Sequence, residues 1–308
     1  MSLKTLEIKM MGTIIRITIN HENSENLLEN CVKLLNIYER KFSANDDFSE
    51  LSRINKNAGI LATNVDKELF NLIEIGKKYS LLEKSYLNVA IGPIIKLWNI
   101  GFFNARKPED EEIKKSLKLV NPIDIIIDKE ESLVYLKKKG MKIDLGSLAK
   151  GYIADKIKEY LEIMDVKSAL INMGGNIVTL GKAIHSSGDW KIGIQNPKEK
   201  RGSHIFRIKL NDMAIATSGI YERKFICNNE EYHHIFDSKT GYPIKTDISS
   251  LTIIAKTGLE CEIWTTVLFG EKKEKIIEII EKKNDIEAII ICNNSDIYYT
   301  SGIEKYII

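Results

Sequence analysis

Apolar residues recur every three or four positions in several stretches of this chain, and this spacing predicts amphipathic helices. The first stretch follows Asn23 or Ser24, either of which can cap a helix that runs to Phe42. A second begins at Asp66, and a third extends to about Glu162. Shorter or more polar stretches predict further helical segments at residues 49–55, 107–116, 260–269 and 271–283.

Short alternating or β-branched runs between turn residues predict the strands. Residues 6–8 and 14–19 flank a turn at 11–13, and hairpins are expected at 124–137 and 286–300. Single strands are predicted at 141–143, 168–172, 190–194 and 251–255, while 206–210 and 213–217 are expected to pair with each other. Because helices and strands mix without strict alternation, we expect an α+β fold with mixed, mostly antiparallel sheets and packed helices.

Composition narrows the class of protein further. The chain has 308 residues, 44% of them hydrophobic and 29% charged. This composition is typical of a globular protein, and the length is sufficient for a large hydrophobic core. A net charge of +2 argues against general attraction to nucleic acid or membranes. Cys31 and Cys292 lie in apolar segments, so we expect buried thiols rather than disulfides or a zinc site.

The N-terminal residues lead directly into a strand-like run. They contain no apolar segment long enough for a signal peptide or a membrane span. The sequence as given is therefore expected to be cytoplasmic. If the given sequence lacks a leader that the native protein carries, we expect the native form to be exported or membrane-anchored instead.

The stretch from Asp144 to Gly151 combines an acid, two small turn residues and a lysine, Lys150, at the start of a predicted helix. Free N–H groups and the positive end of the helix dipole favour an anion at such a place. Taken alone, the stretch is also consistent with an ordinary capped helix after a tight turn. Its chemical interpretation depends on the other polar clusters of the chain.

Glu262 and Thr266 are four residues apart in a helical pattern, so their oxygens would point the same way. Carboxylate and hydroxyl oxygens suit Mg²⁺. The alternative for this pair is a hydrogen bond on the helix surface. His234 follows another histidine in a polar cluster, where it would be either a catalytic group or a core histidine with satisfied hydrogen bonds.

In this order, the polar clusters resemble the ApbE family of flavin transferases, which move FMN from FAD onto a threonine or serine of a partner protein. The resemblance extends over nearly the whole chain, and its most specific stretches are 216–223 and 233–243. It is carried by residues 11–13, 42–43, 49–55, 92–93, 98, 144–151, 155, 172–176, 190–197, 216–223, 233–243 and 262–266. The resemblance implies one ApbE-like region over residues 1–308, with two structural lobes and the FAD site between them.

The resemblance also implies roles for individual residues. His234 matches the residue that acts near the phosphoryl chemistry as a base. Ser147, Glu262 and Thr266 match the Mg²⁺ site, with Ser147 offering its carbonyl. The positions that match FAD contacts are Met11, Asn45, Asn88, Val89, Asp144, Lys150 and Phe236. FAD and an acceptor protein with a Thr or Ser target are the implied partners.

Four positions depart from the family pattern: Asn88 and Glu262 stand where the family usually has Asp, Ala90 where it has Thr, and Ser238 where it has Pro. Glu reaches one methylene further than Asp, which matters for the strict geometry of Mg²⁺.

The chemistry leaves three functions open. Mg²⁺ and a lysine can neutralise the phosphoryl oxygens of FAD while a histidine takes the proton of an attacking hydroxyl. A protein hydroxyl would give FMN transfer, and water would give FAD pyrophosphatase activity with FMN and AMP as products. A non-catalytic flavin-binding protein is the third alternative.

Overall fold

The computed structural model describes residues 2–184 and 188–308. Within them the helices are α1 (Ser24–Phe42), α2 (Glu50–Lys56), α3 (Lys67–Ser80), α4 (Gly92–Trp98), α5 (Asp110–Leu117), α6 (Ala149–Ile163), α7 (Gly258–Leu268) and α8 (Lys273–Glu281). Two short 3-10 helices cover Pro122–Asp124 and Ser301–Lys305. In the described part of the chain, no helix is both long enough and apolar enough to cross a membrane.

An eight-stranded antiparallel sheet forms the centre of the fold, in the order β1-β2-β6-β7-β10-β13-β14-β15. Its strands are β1 (Ser2–Met10), β2 (Thr13–His21), β6 (Ala169–Met173), β7 (Ile177–Leu180), β10 (Ala214–Gly219), β13 (Ile248–Ala255), β14 (Glu287–Cys292) and β15 (Ile297–Tyr299). The smaller sheets contain β3 (Thr63–Asn64), β4 (Ile125–Asp128), β5 (Leu133–Leu136), β8 (Trp190–Gln195), β9 (His204–Leu210), β11 (Lys224–Cys227) and β12 (Glu230–His233). The predicted α+β class with mostly antiparallel sheets is confirmed.

Both faces of the central sheet are covered at its middle strands. Helices α1, α6, α7 and α8 pack on one face, and the β8–β9 hairpin covers the opposite face near β10, β13 and β14. Strand β13 lies in the middle and is buried at every residue, with Ile253 facing the helices and Ile254 facing the hairpin. This double burial explains why β13 reads as a short, largely apolar run rather than an alternating one.

The predicted pairing of 206–210 with 213–217 is wrong. Strand β9 pairs with β8, whereas β10 pairs with β13 and β7. Between them Asp212 has a φ of 50°, and the chain passes there from one layer to the next. A short connection between two apolar runs is typical of a hairpin, so local sequence favoured the wrong partner.

The predicted strand at 141–143 forms only one isolated parallel bridge, between Lys142 and Ile91. Its backbone is instead held by the side-chain amide of Asn55, which accepts from the Ile143 N–H (2.7 Å) and donates to the Ile143 carbonyl (2.9 Å). The amide takes the place of a neighbouring strand. Cys31 and Cys292 are free and buried, as expected.

Candidate active site

The turn before α6 is held by Asp144. Its Oδ1 accepts from the Gly146 N–H (2.8 Å), and its own N–H donates to the Val89 carbonyl (2.9 Å). Burial raises the pKa of the Asp144 carboxyl, while the Gly146 N–H and the charges of Lys150 and Arg223 oppose that rise. The predicted acid at the start of the helix is therefore fixed in a backbone turn beside two cations.

Helix α6 receives its N-terminal cap from another helix. Leu148, its N-cap residue, makes no side-chain capping bond. Glu262 of α7, only 6% exposed, supplies the missing acceptor, since its Oε2 accepts from the Gly151 N–H (2.8 Å). A carboxylate at this position also interacts favourably with the helix dipole.

Helix α7 is capped in return by α6. Asp155 accepts from the Gly258 N–H through Oδ1 (2.7 Å) and from the Leu259 N–H through Oδ2 (2.9 Å). A close glycine contact permits this exchange, because a Cβ atom on Gly151 would lie 2.3 Å from the Gly258 carbonyl oxygen. The two helices are thus joined by a pair of carboxylates at close range.

The Lys150 ammonium lies between two oxygens of this region. Its Nζ is 2.9 Å from the Gly146 carbonyl oxygen and 3.0 Å from Glu262 Oε1. Thr266 stands one helical turn after Glu262, on the same helix, and Ser147 belongs to the turn that Lys150 contacts. Of the three predicted metal residues, Glu262 contacts Lys150 directly, Ser147 follows the Gly146 carbonyl that Lys150 also contacts, and Thr266 is linked to them through its place on α7.

These residues fit a hard cation such as Mg²⁺. Carboxylate, hydroxyl and backbone carbonyl are all oxygen donors, and an ammonium group already lies against the carboxylate and a carbonyl. Among the described residues, no cluster of three or more His, Cys, Asp or Glu side chains could hold a metal ion. A cation here would depend on Glu262 together with neutral oxygens.

His234 lies at the base of the β11–β12 hairpin. Its Nδ1 is 3.2 Å from the Arg223 carbonyl oxygen, to which the His234 N–H also donates (3.2 Å). Burial, followed by the charges of Arg223, His233 and Lys150, lowers the pKa of His234 to about 4. The imidazole is therefore neutral at pH 7.

The neighbouring histidine has a different environment. His233 is buried, its Nε2 lies 3.0 Å from the Ile244 carbonyl oxygen, and its Nδ1 accepts from the Ile235 N–H. Both ring nitrogens are thus used within the fold. Of the two histidines, His233 is therefore the core histidine with satisfied hydrogen bonds. His234 is the histidine whose pKa is lowered by the charges of Arg223 and Lys150.

Arg223 belongs to the recognised stretch 216–223, but sequence analysis gave it no role in the site. A Cβ atom on Gly12 would lie 3.5 Å from its Nη2, and one on Gly101 would lie 3.0 Å from its Cδ. Arg223 therefore brings the β1–β2 turn and the loop after α4 to the cluster of Asp144 and His234. Its position at the end of the specific stretch 216–223 was the signal that could have identified it.

Three other predicted flavin contacts, Met11, Phe236 and Asn45, have separate surroundings. Met11 precedes Gly12 in the β1–β2 turn and donates its N–H to Glu39 Oε1 (3.2 Å). Phe236 is 6% exposed and packs against Trp98, with ring centroids 5.9 Å apart. Asn45 is exposed, and no hydrogen bond or ion pair between described residues joins it to the charged cluster.

Asn88 and Val89 serve the fold in this structure. The Asn88 amide donates to the Val120 carbonyl (2.8 Å) and accepts from the Ala90 N–H (2.9 Å). Val89 is fully buried, and its carbonyl accepts the Asp144 N–H. Val89 thus supports the turn that carries Asp144, and Asn88 fixes the adjoining segment to Val120.

The sequence matches the ApbE family over residues 11–290. The chain belongs to this family. Two ApbE relatives, each named FAD:protein FMN transferase, come from Klebsiella pneumoniae (strain 342) and Treponema pallidum (strain Nichols). The first is 36% identical over 95% of this chain and 90% of its own length; the second is 31% identical over 96% and 86%.

Solved ApbE structures share the fold. The ApbE protein from Thermotoga maritima superposes with a TM-score of 0.90 and 28% sequence identity over 99% of both chains. The flavin transferase ApbE from Vibrio cholerae, at 24% identity, reaches a TM-score of 0.85 over 99% of both chains and shows the fold alone. The resemblance found in the sequence, in family and in architecture, is confirmed.

Proposed function

We propose that this chain transfers the FMN part of FAD to a Thr or Ser hydroxyl of an acceptor protein and releases AMP. Membership of the ApbE family and the names of its relatives support the reaction class. The observation that carries the proposal is a neutral His234, bonded to the Arg223 carbonyl, whose pKa is lowered by burial and by the positive charges of Arg223 and Lys150. Two cations and a proton acceptor are what phosphoryl transfer from a diphosphate needs.

The histidine would take the proton of the acceptor hydroxyl. For Nδ1 to bond to the Arg223 carbonyl it must carry the ring proton, which leaves Nε2 as the acceptor. The hydroxyl oxygen then bonds to the phosphorus of the FMN phosphate, and the bond between that phosphorus and the AMP oxygen breaks. A bound diphosphate would raise the pKa of His234 from about 4 towards neutrality, which makes it a better base.

Lys150 and Arg223 would bind the diphosphate oxygens and stabilise their charge. Glu262, Thr266 and the Ser147 carbonyl would hold Mg²⁺, which supplies further neutralisation of the phosphoryl oxygens when bound. Met11, Asn45, Asp144 and Phe236 remain proposed FAD contacts. Asn88 and Val89 also remain proposed FAD contacts; the Val89 side chain is buried, so Val89 would contribute through its backbone, whose carbonyl accepts the Asp144 N–H.

The test is incubation of the protein with FAD, Mg²⁺ and a candidate acceptor. Transfer predicts a fluorescent band on the acceptor and one AMP for each flavin attached. AMP without a band would identify an FAD pyrophosphatase, and tight FAD binding without AMP would identify a flavin-binding protein. Either outcome would overturn the proposal.

Substitutions of His234 and Glu262 test whether the activity depends on these residues. His234→Gln should lower kcat by about 10²–10⁴-fold with little change in KM for FAD, because it removes the base rather than a binding group. Lys156→Ala is the matched control, since Lys156 lies on α6 and pairs with Glu159 at the surface. Glu262→Ala should raise the Mg²⁺ concentration needed for activity, and an unchanged Mg²⁺ dependence would refute its place in the metal site.

A further inference from the structure

The Lys150–Glu262 ion pair is an unusual feature for a proposed metal site. Lys150 Nζ lies 3.0 Å from Glu262 Oε1 and 2.9 Å from the Gly146 carbonyl oxygen. The Glu262 side chain is 8% exposed and that of Lys150 is 31% exposed. The ammonium therefore contacts a carboxylate that is well shielded from solvent, where charge interactions are stronger than at the surface.

The other oxygen of Glu262 is already used. Oε2 accepts from the Gly151 N–H at 2.8 Å, which fixes the carboxylate against α6. Oε1 is consequently the oxygen through which Glu262 would meet a cation, and it is the oxygen that Lys150 contacts. The longer reach of Glu, compared with the Asp usual in the family, lets one carboxylate span the helix N-terminus and the lysine.

Mg²⁺ and the Lys150 ammonium would repel each other if both contacted Glu262 Oε1. Mg²⁺ binds oxygen ligands at about 2.1 Å, so it would bring two positive charges to within about 4 Å of each other around one oxygen. The Lys150 side chain is long, flexible and partly exposed, and it can move. Glu262 cannot, because its second oxygen is held by α6.

We propose that Lys150 is an internal cation that occupies Glu262 in the metal-free protein and leaves it when Mg²⁺ binds. The inference rests on the proposed metal site at Glu262. The displaced ammonium becomes available for the phosphate oxygens of FAD, so Lys150 couples the two ligands. Mg²⁺ binds before the diphosphate, and Lys150 reaches the diphosphate only in the metal-bound state.

The experiment is a calorimetric titration with Mg²⁺ in the absence of flavin. Lys150→Met removes the competing ammonium and keeps a helix-forming side chain of similar length, and it should bind Mg²⁺ about tenfold more tightly than the wild type. Lys156→Met is the control, because it removes the same charge from α6 at a surface pair with Glu159. Its Mg²⁺ affinity should stay within about twofold of the wild type.

The outcomes separate the two proposals. Equal Mg²⁺ affinity in the wild type and Lys150→Met would overturn the inference and leave the metal site standing. No Mg²⁺ binding in the wild type or in either variant would overturn the metal site and, with it, the inference. Tighter binding in Lys150→Met but not in Lys156→Met supports both.

A second measurement uses the unaltered protein. Trace acetylation followed by mass spectrometry reports how accessible each lysine is. Saturating Mg²⁺ should raise the acetylation of Lys150 several-fold and leave that of Lys156 unchanged. A Lys150 whose acetylation ignores Mg²⁺ would refute the displacement, whatever the stability of the methionine variant.

Discussion

Gly151→Ala tests the close contact between α6 and α7. The new methyl carbon would lie 2.3 Å from the Gly258 carbonyl oxygen and 2.7 Å from the Leu259 nitrogen, where ordinary contacts begin near 3.4 Å. Both obstacles are backbone atoms, so no side chain can turn away. The helices would have to separate by about 1 Å to restore ordinary contact.

The magnitude is the balance of three effects. Alanine is favoured over glycine in a helix by about 1 kcal/mol. Overpacking costs about 1–3 kcal/mol, and separation lengthens the bond between Glu262 and the Gly151 N–H, worth about 1.5–3 kcal/mol because the acceptor is charged. The net expectation is a loss of about 1.5–5 kcal/mol in the free energy of unfolding.

Urea unfolding followed by circular dichroism measures this loss as a lower midpoint with an unchanged slope. Glu159→Ala is the control, because Glu159 lies on the exposed side of the same helix and should change the stability by less than about 0.5 kcal/mol. A Gly151→Ala protein as stable as the wild type, or stabilised by about the helix-propensity gain, would refute the reasoning.

Three further changes can be measured by urea titration. Burial raises the pKa of Asp155 to about 6, so between pH 4 and 6 the folded state holds a proton that the unfolded chain has released. The free energy of unfolding should therefore fall by about 2 kcal/mol as the pH rises from 4 to 6. This fall should disappear in Asp155→Asn. Glu262→Gln keeps an acceptor for the Gly151 N–H but loses the charge, and should cost about 1–2 kcal/mol; an unchanged midpoint would contradict the capping role. Trp98→Phe removes the buried indole N–H that donates to the Gly241 carbonyl (2.9 Å) and should cost about 2 kcal/mol, and a smaller loss than 0.5 kcal/mol would show that this bond is dispensable.

Local patterns predicted most of the secondary structure. The long helices were predictable because their apolar faces repeat over several turns, and Asp66 caps α3 as its position indicates. Strand partners were harder to predict, since β9 and β10 are neighbouring apolar runs joined by a short connection, and only the central sheet decides that β10 pairs with β13 and β7. Strand β7 and the β11–β12 hairpin were not predicted, because β7 is a four-residue run buried throughout, without alternation, and β12 is short, polar and largely exposed.

The residues of the candidate site were named from motifs, and their contacts were not. Glu262 was predicted as a metal ligand, yet its bond to Gly151 joins residues 111 positions apart, which no local pattern can indicate. The lysine–carboxylate pair depends on the same tertiary contact. Arg223 was part of a recognised motif, but its role follows from its proximity to Gly12 and Gly101 in space.

The exchange of carboxylates between α6 and α7 makes the first turn of each helix dependent on the other. If α7 frays past Glu262, the Gly151 N–H loses its acceptor; if α6 frays past Asp155, the Gly258 and Leu259 N–H groups lose theirs. Such reciprocal dependence should make the two helices open as one cooperative unit in native-state hydrogen exchange. The Lys150 end of α6 and the Glu262 turn of α7 would then form together or unfold together. A state with only one of them formed would be sparsely populated.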